Sequence, residues 1–200
     1  MRVLIACEFS GIVRTAFERY GHESWSCDLL PSEIPGRHLQ MDIRRVNLWY
    51  FDLMIAHPPC TYLSLSGARW NVHRRDKQDK ALYFVHWLMQ APVPYICIEN
   101  PVGAISRFIR RPDQYVHPWQ FGHAETKKTG LWLKNLPLLR PTHIVREDII
   151  HHRIHWMGEK KDRWMERSRF YSGIALAMAQ QWGMQKVREM IKNGYTGNKY

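Results

Sequence analysis

The stretch Phe51-Asp52-Leu53-Met54-Ile55-Ala56-His57-Pro58-Pro59-Cys60 decides the fold. It is almost continuously apolar, too short for a helix, and stopped by two prolines, which reads as a buried strand. A cysteine therefore stands just past a strand end, where a nucleophile can be presented. A second apolar strand, Tyr95-Ile96-Cys97-Ile98, runs into Glu99-Asn100-Pro101 and puts an acid at another strand tip. A thiol and a carboxylate at two buried strand ends are what attack on a nucleobase ring requires.

Between these strands Asp76 to Ala91 reads as a helix, with Ala81, Leu82, Phe84, Val85, Leu88 and Met89 on its apolar side. Upstream, Arg2 to Cys7 is a short strand, Glu8-Phe9-Ser10-Gly11 a turn, and Ile12 to Tyr20 a helix ended by Gly21. Glu23 to Cys27 is a further strand, closed by Asp28, and Asp42-Ile43 marks the end of a poorly defined third one. This β-α-β alternation predicts an α/β fold: a mostly parallel sheet flanked by helices. Ligands in such sheets bind outside the carboxyl ends of the strands. Gly11, Asp28, Asp42, Cys60 and Glu99 all belong at that edge. Beyond Pro101, Tyr115 to Phe121 and Gly130 to Leu133 read as strands of an antiparallel edge, and Gly173 to Ile191 as a final helix. The organisation expected is a single domain over 1–192, with a polar, basic insert at 140–168 and a frayed tail at 193–200.

The chain has 200 residues, enough for one domain with a real core, and 45% of them are hydrophobic. Its formal net charge of +11 favours a polyanionic partner, most simply nucleic acid. The 4 cysteines form no C-x-x-C pair, and His151, His152 and His155 lack an acid or cysteine to complete a ligand set, so no metal site is expected. No signal peptide and no run of 18 apolar residues is present, so no membrane segment is expected and the setting anticipated is the cytoplasm.

In this order these residues resemble the cytosine-C5 DNA methyltransferase family. Pro58-Pro59-Cys60, followed by Ser64, resembles that family's nucleophile motif; Glu99-Asn100 resembles its second catalytic motif; Phe9-Ser10-Gly11 resembles the start of its cofactor motif. The resemblance implies a single Rossmann-like, S-adenosylmethionine-dependent methyltransferase domain with a much reduced target recognition region. It implies Cys60 as the nucleophile at cytosine C6 and Glu99 as the acid at N3. It implies Phe9, Gly11, Asp28, Asp42, Pro58 and Ser172 around the cofactor, with Asp28 on the ribose and Asp42 on the adenine. The chain departs from the family where the second glycine of the first motif is Val13 and where its Gln-x-Arg-x-Arg motif is not evident; Lys127-Lys128 stand near that place.

The partner implied is DNA, duplex or single-stranded, with the target base flipped out of the stack. Ser64, Arg69, Arg74 and Arg75 follow the nucleophile, and Lys127, Lys128, Lys160, Lys161 and Arg163 supply further charge for phosphates. For Glu99 to share a proton with the base near neutral pH, a raised pKa is expected. Two other functions suit parts of the pattern. A non-catalytic nucleic-acid-binding protein on the same fold accords with Val13 and the missing arginine motif. An enzyme modifying pyrimidine C5 in RNA or a free nucleotide accords with the short recognition segment.

Overall fold

In the computed structural model the described residues are 1–65, 74–150 and 169–183. Seven strands form one sheet in the order β3-β2-β1-β4-β5-β7-β6. They are β1 (Arg2–Ala6), β2 (Glu23–Asp28), β3 (His38–Gln40), β4 (Leu53–Ala56), β5 (Tyr95–Pro101), β6 (Gln114–Val116) and β7 (Thr129–Lys134). The first five run parallel; β7 pairs antiparallel with β5, and β6 antiparallel with β7. The strand order reverses between β1 and β4, and in sheets of this kind ligands bind outside the carboxyl ends at such a point.

Among the described residues the helices are α1 (Ile12–Arg19), α2 (Arg75–Met89), α3 (Ala104–Phe108) and α4 (Ser172–Gly183). Side-chain alternation assigns them to faces. Val3, Ile5, Leu53, Ile55, Cys97 and Leu131 pack with α1 and α4 on one side. Leu4, Ala6, Met54, Ala56, Ile96, Ile98 and Trp132 pack with α2 on the other. Both faces of β4 are thus covered, and all four of its residues are buried, which is why its sequence is unbroken in its apolarity.

Some elements differ from expectation. The strand expected to run from Tyr115 to Phe121 stops at Val116, because Pro118 has no N–H for the ladder and opens a short 3-10 turn, Pro118–Gln120. Asp42 does not end a strand; β3 stops at Gln40, and Asp42 caps the 3-10 turn Ile43–Arg45. The final helix is described to Gly183; its expected continuation to Ile191, the expected tail, and residues 151–168 of the insert lie outside the described residues. Among the described residues no helix is long and apolar enough to cross a membrane.

Candidate active site

The parallel register sets the strand tips side by side. Ala6 is level with Cys27 and Ala56, and Ala56 with Ile98. One residue further on, Asp28, Cys7, His57 and Glu99 therefore form a row along the carboxyl edge. The row is held by backbone: the His57 N–H donates to the Ala6 carbonyl at 2.9 Å, and the Glu8 N–H to the Cys27 carbonyl at 3.2 Å.

Glu99 is buried, and its Oε2 lies 3.0 Å from His57 Nδ1. Burial alone would push this carboxyl up, but the His57 hydrogen bond, the charge of His57 and that of Lys127 outweigh it and hold Glu99 below the ordinary carboxylate range. This corrects the expectation of a raised value. An apolar strand tip does raise a carboxyl, but a neighbour from the next strand reverses the sign. Glu8 shows the opposite balance. Burial pushes its carboxyl up, and His57, the N–H groups of Val13 and Arg14, and Ser10 offset this only in part. The ring of Phe170 covers His57 with centroids 4.8 Å apart, and His57 Nε2 is buried with no hydrogen-bond partner.

Cys60 is exposed and opens a tight turn whose carbonyl receives the N–H groups of Leu63 at 2.9 Å and Ser64 at 3.0 Å. Two links fasten this turn to the Glu99 strand. The Asn100 side-chain amide donates to the Pro58 carbonyl at 2.7 Å. Ser64 bridges Gly103, and the Ala104 N–H donates to the Leu63 carbonyl at 2.7 Å. A Cβ on Gly103 would sit 1.8 Å from that carbonyl oxygen, so this contact requires glycine. The other thiols are held neutral. Burial pushes Cys7 and Cys97 well up, and pushes Cys27 to about 11. Cys60 alone among the four is exposed.

The residues expected at the cofactor surround the turn after β1. Asp28 Oδ1 accepts the Leu30 N–H at 2.9 Å, and its other oxygen has no hydrogen-bond partner among the described residues. Cys7 has a left-handed φ of 58° and lies within the electrostatic reach of Asp28 and Asp42. Gly11 has φ 72°, a conformation that favours glycine. The chain itself fills the space beside it: a Cβ there would meet Arg14 Nη2 at 2.9 Å and Ile34 Cβ at 3.0 Å. Arg14 is fully buried and donates to the carbonyls of Ile34 at 2.6 Å and Pro35 at 3.1 Å. Phe9 is buried, and its carbonyl accepts the Glu33 N–H at 2.8 Å.

The α1 N-terminus is occupied too. Glu8 accepts the N–H groups of Val13 at 2.7 Å and Arg14 at 3.3 Å, so a ligand carboxylate has no claim on those donors. Asp42 is held at about 2 by hydrogen bonds from the Arg44 side chain and backbone. Pro58 lies beside Asn100, and Ser172 is exposed at the first position of α4.

Of the basic residues, Arg74 and Arg75 are exposed at the start of α2. Lys127 and Lys128 precede β7, with their ammonium groups 5.7 Å from the Tyr171 ring centroid and 4.3 Å from that of Tyr115. Arg69, Lys160, Lys161 and Arg163 lie outside the described residues. Sequence reasoning missed His57, Glu8, Arg14 and Gly103. His57 has one signal, its place immediately before the two prolines at a strand end. The others act through contacts between segments distant in the chain.

Neither a protein-family model nor a curated protein matches the chain. Solved structures do. EhMeth, a methyltransferase of Entamoeba histolytica, superposes with a TM-score of 0.51 at 14% identity, over 72% of this chain and 57% of its own. A mutant of DNMT2 from Spodoptera frugiperda gives a TM-score of 0.47 at 17% identity, over 72% of this chain and 54% of its own. This chain therefore spans little more than half the length of either. Together with the strand order, the likeness to EhMeth shows an α/β, Rossmann-like fold similar to that of this methyltransferase.

Proposed function

We propose that this protein transfers a methyl group from S-adenosylmethionine to C5 of cytosine in DNA, with Cys60 as the covalent nucleophile and Glu99 as the acid at N3. The observation that carries this reading is the tie between two motifs far apart in sequence. Asn100 holds Pro58 at 2.7 Å, so the Cys60 turn and the Glu99 tip are parts of one rigid unit.

In this mechanism the Cys60 thiolate adds to C6 of a flipped cytosine, forming an S–C6 bond and moving electron density onto C5 and N3. Glu99 delivers a proton to N3 as that density arrives, which lowers the barrier to attack. After C5 has taken the methyl group, loss of its proton expels the thiolate and restores the ring. S-adenosylmethionine, when bound, supplies the electrophilic methyl group. The carboxyl edge suits its adenosyl part, since Asp28 keeps an oxygen for a ribose hydroxyl. Phe9, Gly11, Pro58, Asp42 and Ser172 complete the proposed surroundings. The amino-acid end must find donors other than the α1 N–H groups, because Glu8 already takes them.

One experiment tests the whole reading. The protein is incubated with labelled S-adenosylmethionine and, separately, duplex DNA, single-stranded DNA, RNA and dCMP, and the methylated base is identified after digestion. Label in 5-methylcytosine from either DNA arm is the expected result. Label only in RNA or dCMP overturns the DNA assignment; no label in any arm overturns the enzyme.

Two further outcomes follow. Asp28→Ala should weaken S-adenosylmethionine by about 1.5–3 kcal/mol in calorimetry, the value of a charge-assisted hydrogen bond, and leave nucleic-acid affinity unchanged. Nucleic-acid affinity should fall steeply with salt, by a slope of about −0.9 for each duplex phosphate contact. Neutralising Lys160, Lys161 and Arg163 together should flatten that slope without changing which cytosine is modified. Filter binding across a salt series, with bisulfite sequencing of a methylated random library, reads both; a salt-independent affinity would remove the polyanion argument.

A further inference from the structure

We infer that His57 is a positioning residue that fixes the Glu99 carboxyl through Nδ1 and relays the proton that Glu99 passes to the base. This rests on the proposed function but makes a claim of its own about the ionic state of the site.

The geometry is specific. His57 Nδ1 lies 3.0 Å from Glu99 Oε2, and both side chains are nearly closed off from solvent. The imidazole cannot drift away. Its backbone N–H is fixed to Ala6, Phe170 covers its ring, and the prolines that follow restrict the chain. Its other nitrogen is buried without a partner, so Glu99 is the one hydrogen-bond partner of the ring among the described residues.

The groups that face this pair come from several elements. Glu99 stands on β5 within reach of Cys97, Glu8 follows β1, Phe170 precedes α4 and carries no charge, and Lys127 acts on Glu99 from the segment before β7. Glu8 and Glu99 are both carboxyls, and the charge of His57 lowers both. His57 thus stands within electrostatic reach of both carboxyls, and its Nδ1 is hydrogen-bonded to Glu99.

The reaction needs a proton on N3 although Glu99 is held as carboxylate. With His57 protonated, the balance closes. As the S–C6 bond forms, Glu99 gives a proton to N3 and receives one from His57 Nδ1, leaving a neutral imidazole. As the C5 proton leaves and the S–C6 bond breaks, the N3 proton returns through Glu99 to His57. No net proton is consumed by the relay. Glu99 is depressed, so its ion pair contributes stability above the ordinary carboxylate range and loses it as pH falls through the depressed value.

The test uses ¹³C-labelled Glu carboxyls followed by NMR in the free protein, with methyl-transfer kinetics alongside. In the wild-type protein Glu99 should titrate below an ordinary glutamate, a measurement that needs no variant to fold. In His57→Gln, which keeps a hydrogen-bond donor but no titrating proton, the Glu99 midpoint should rise by on the order of one pH unit. The same variant should lose about 10²-fold in kcat with KM for the cofactor unchanged, as removal of acid catalysis does. The variant's kcat–pH profile should also differ in shape from that of the wild type, because the relayed proton is gone. A wild-type Glu99 that titrates normally overturns the inference, as does a variant whose Glu99 does not move. A kcat loss that is the same at every pH overturns it as well. A wild-type protein without methyl transfer would defeat the proposed function, and the Glu99 titrations would still decide whether His57 governs its charge.

Discussion

Cys60→Ser is expected to abolish methyl transfer, by on the order of 10⁴-fold or more, while nucleic-acid binding persists. The hydroxyl is close in size to the thiol, so the turn that presents it, closed by the Leu63 and Ser64 N–H groups, should survive. The loss would therefore be chemical, because a serine hydroxyl at neutral pH is almost never ionised. DNA carrying 5-fluorocytosine sharpens the test, since fluorine at C5 leaves no proton to remove and the thiolate cannot be expelled. A stable adduct should form with the wild-type protein and map to Cys60. The competing thiols are poor candidates, as Cys27 and Cys97 are buried and burial holds Cys7, Cys27 and Cys97 in the neutral form. Substantial turnover by the variant, or an adduct on another cysteine, would reject the assignment.

Gly103→Ala should damage the site from the second motif's side. The added methyl group would fall 1.8 Å from the Leu63 carbonyl oxygen, and backbone on both sides leaves no flexible group to yield. Either the Cys60 turn or the chain after β5 must move, breaking the bonds from Ala104 to Leu63 at 2.7 Å and from Leu65 to Val102 at 3.1 Å. A stability loss of about 2–3 kcal/mol is expected in denaturant titration. The rate of 5-fluorocytosine trapping should fall by about 10²-fold, because a displacement of order 1 Å costs that much in an oriented reaction. Cofactor affinity should change little, since Asp28 belongs to a different strand pair. An unchanged melting transition together with unchanged trapping would show that the turn does not depend on this contact.

The strands nearest the site were legible because burial on both faces writes itself into sequence as unbroken apolarity. Leu53 to Ala56 and Tyr95 to Ile98 could be recognised without any partner. The helix Arg75–Met89 was legible by its period, with Val85 and Leu88 on its buried side. The edge was less so. Strands β3 and β6 have three residues each, too few for an alternation to register, and their pairing depends on neighbours elsewhere in the chain.

At the site, the sequence by itself placed a thiol just past one buried apolar run and a carboxylate directly after another; β5 in fact continues beyond Glu99 to Pro101, because β7 pairs with it antiparallel. Only the tertiary structure decided their electrical state. Whether Glu99 is raised or lowered depends on the competition between burial and a neighbour's charge, and that neighbour, His57, arrives from the adjacent strand through register. The same holds for Glu8, which reads in sequence as a turn residue and is in fact the buried cap of α1. Local pattern carries burial, since burial is a property of one segment; hydrogen bonds and charges between segments are pairwise, and appear only when the sheet brings the segments together.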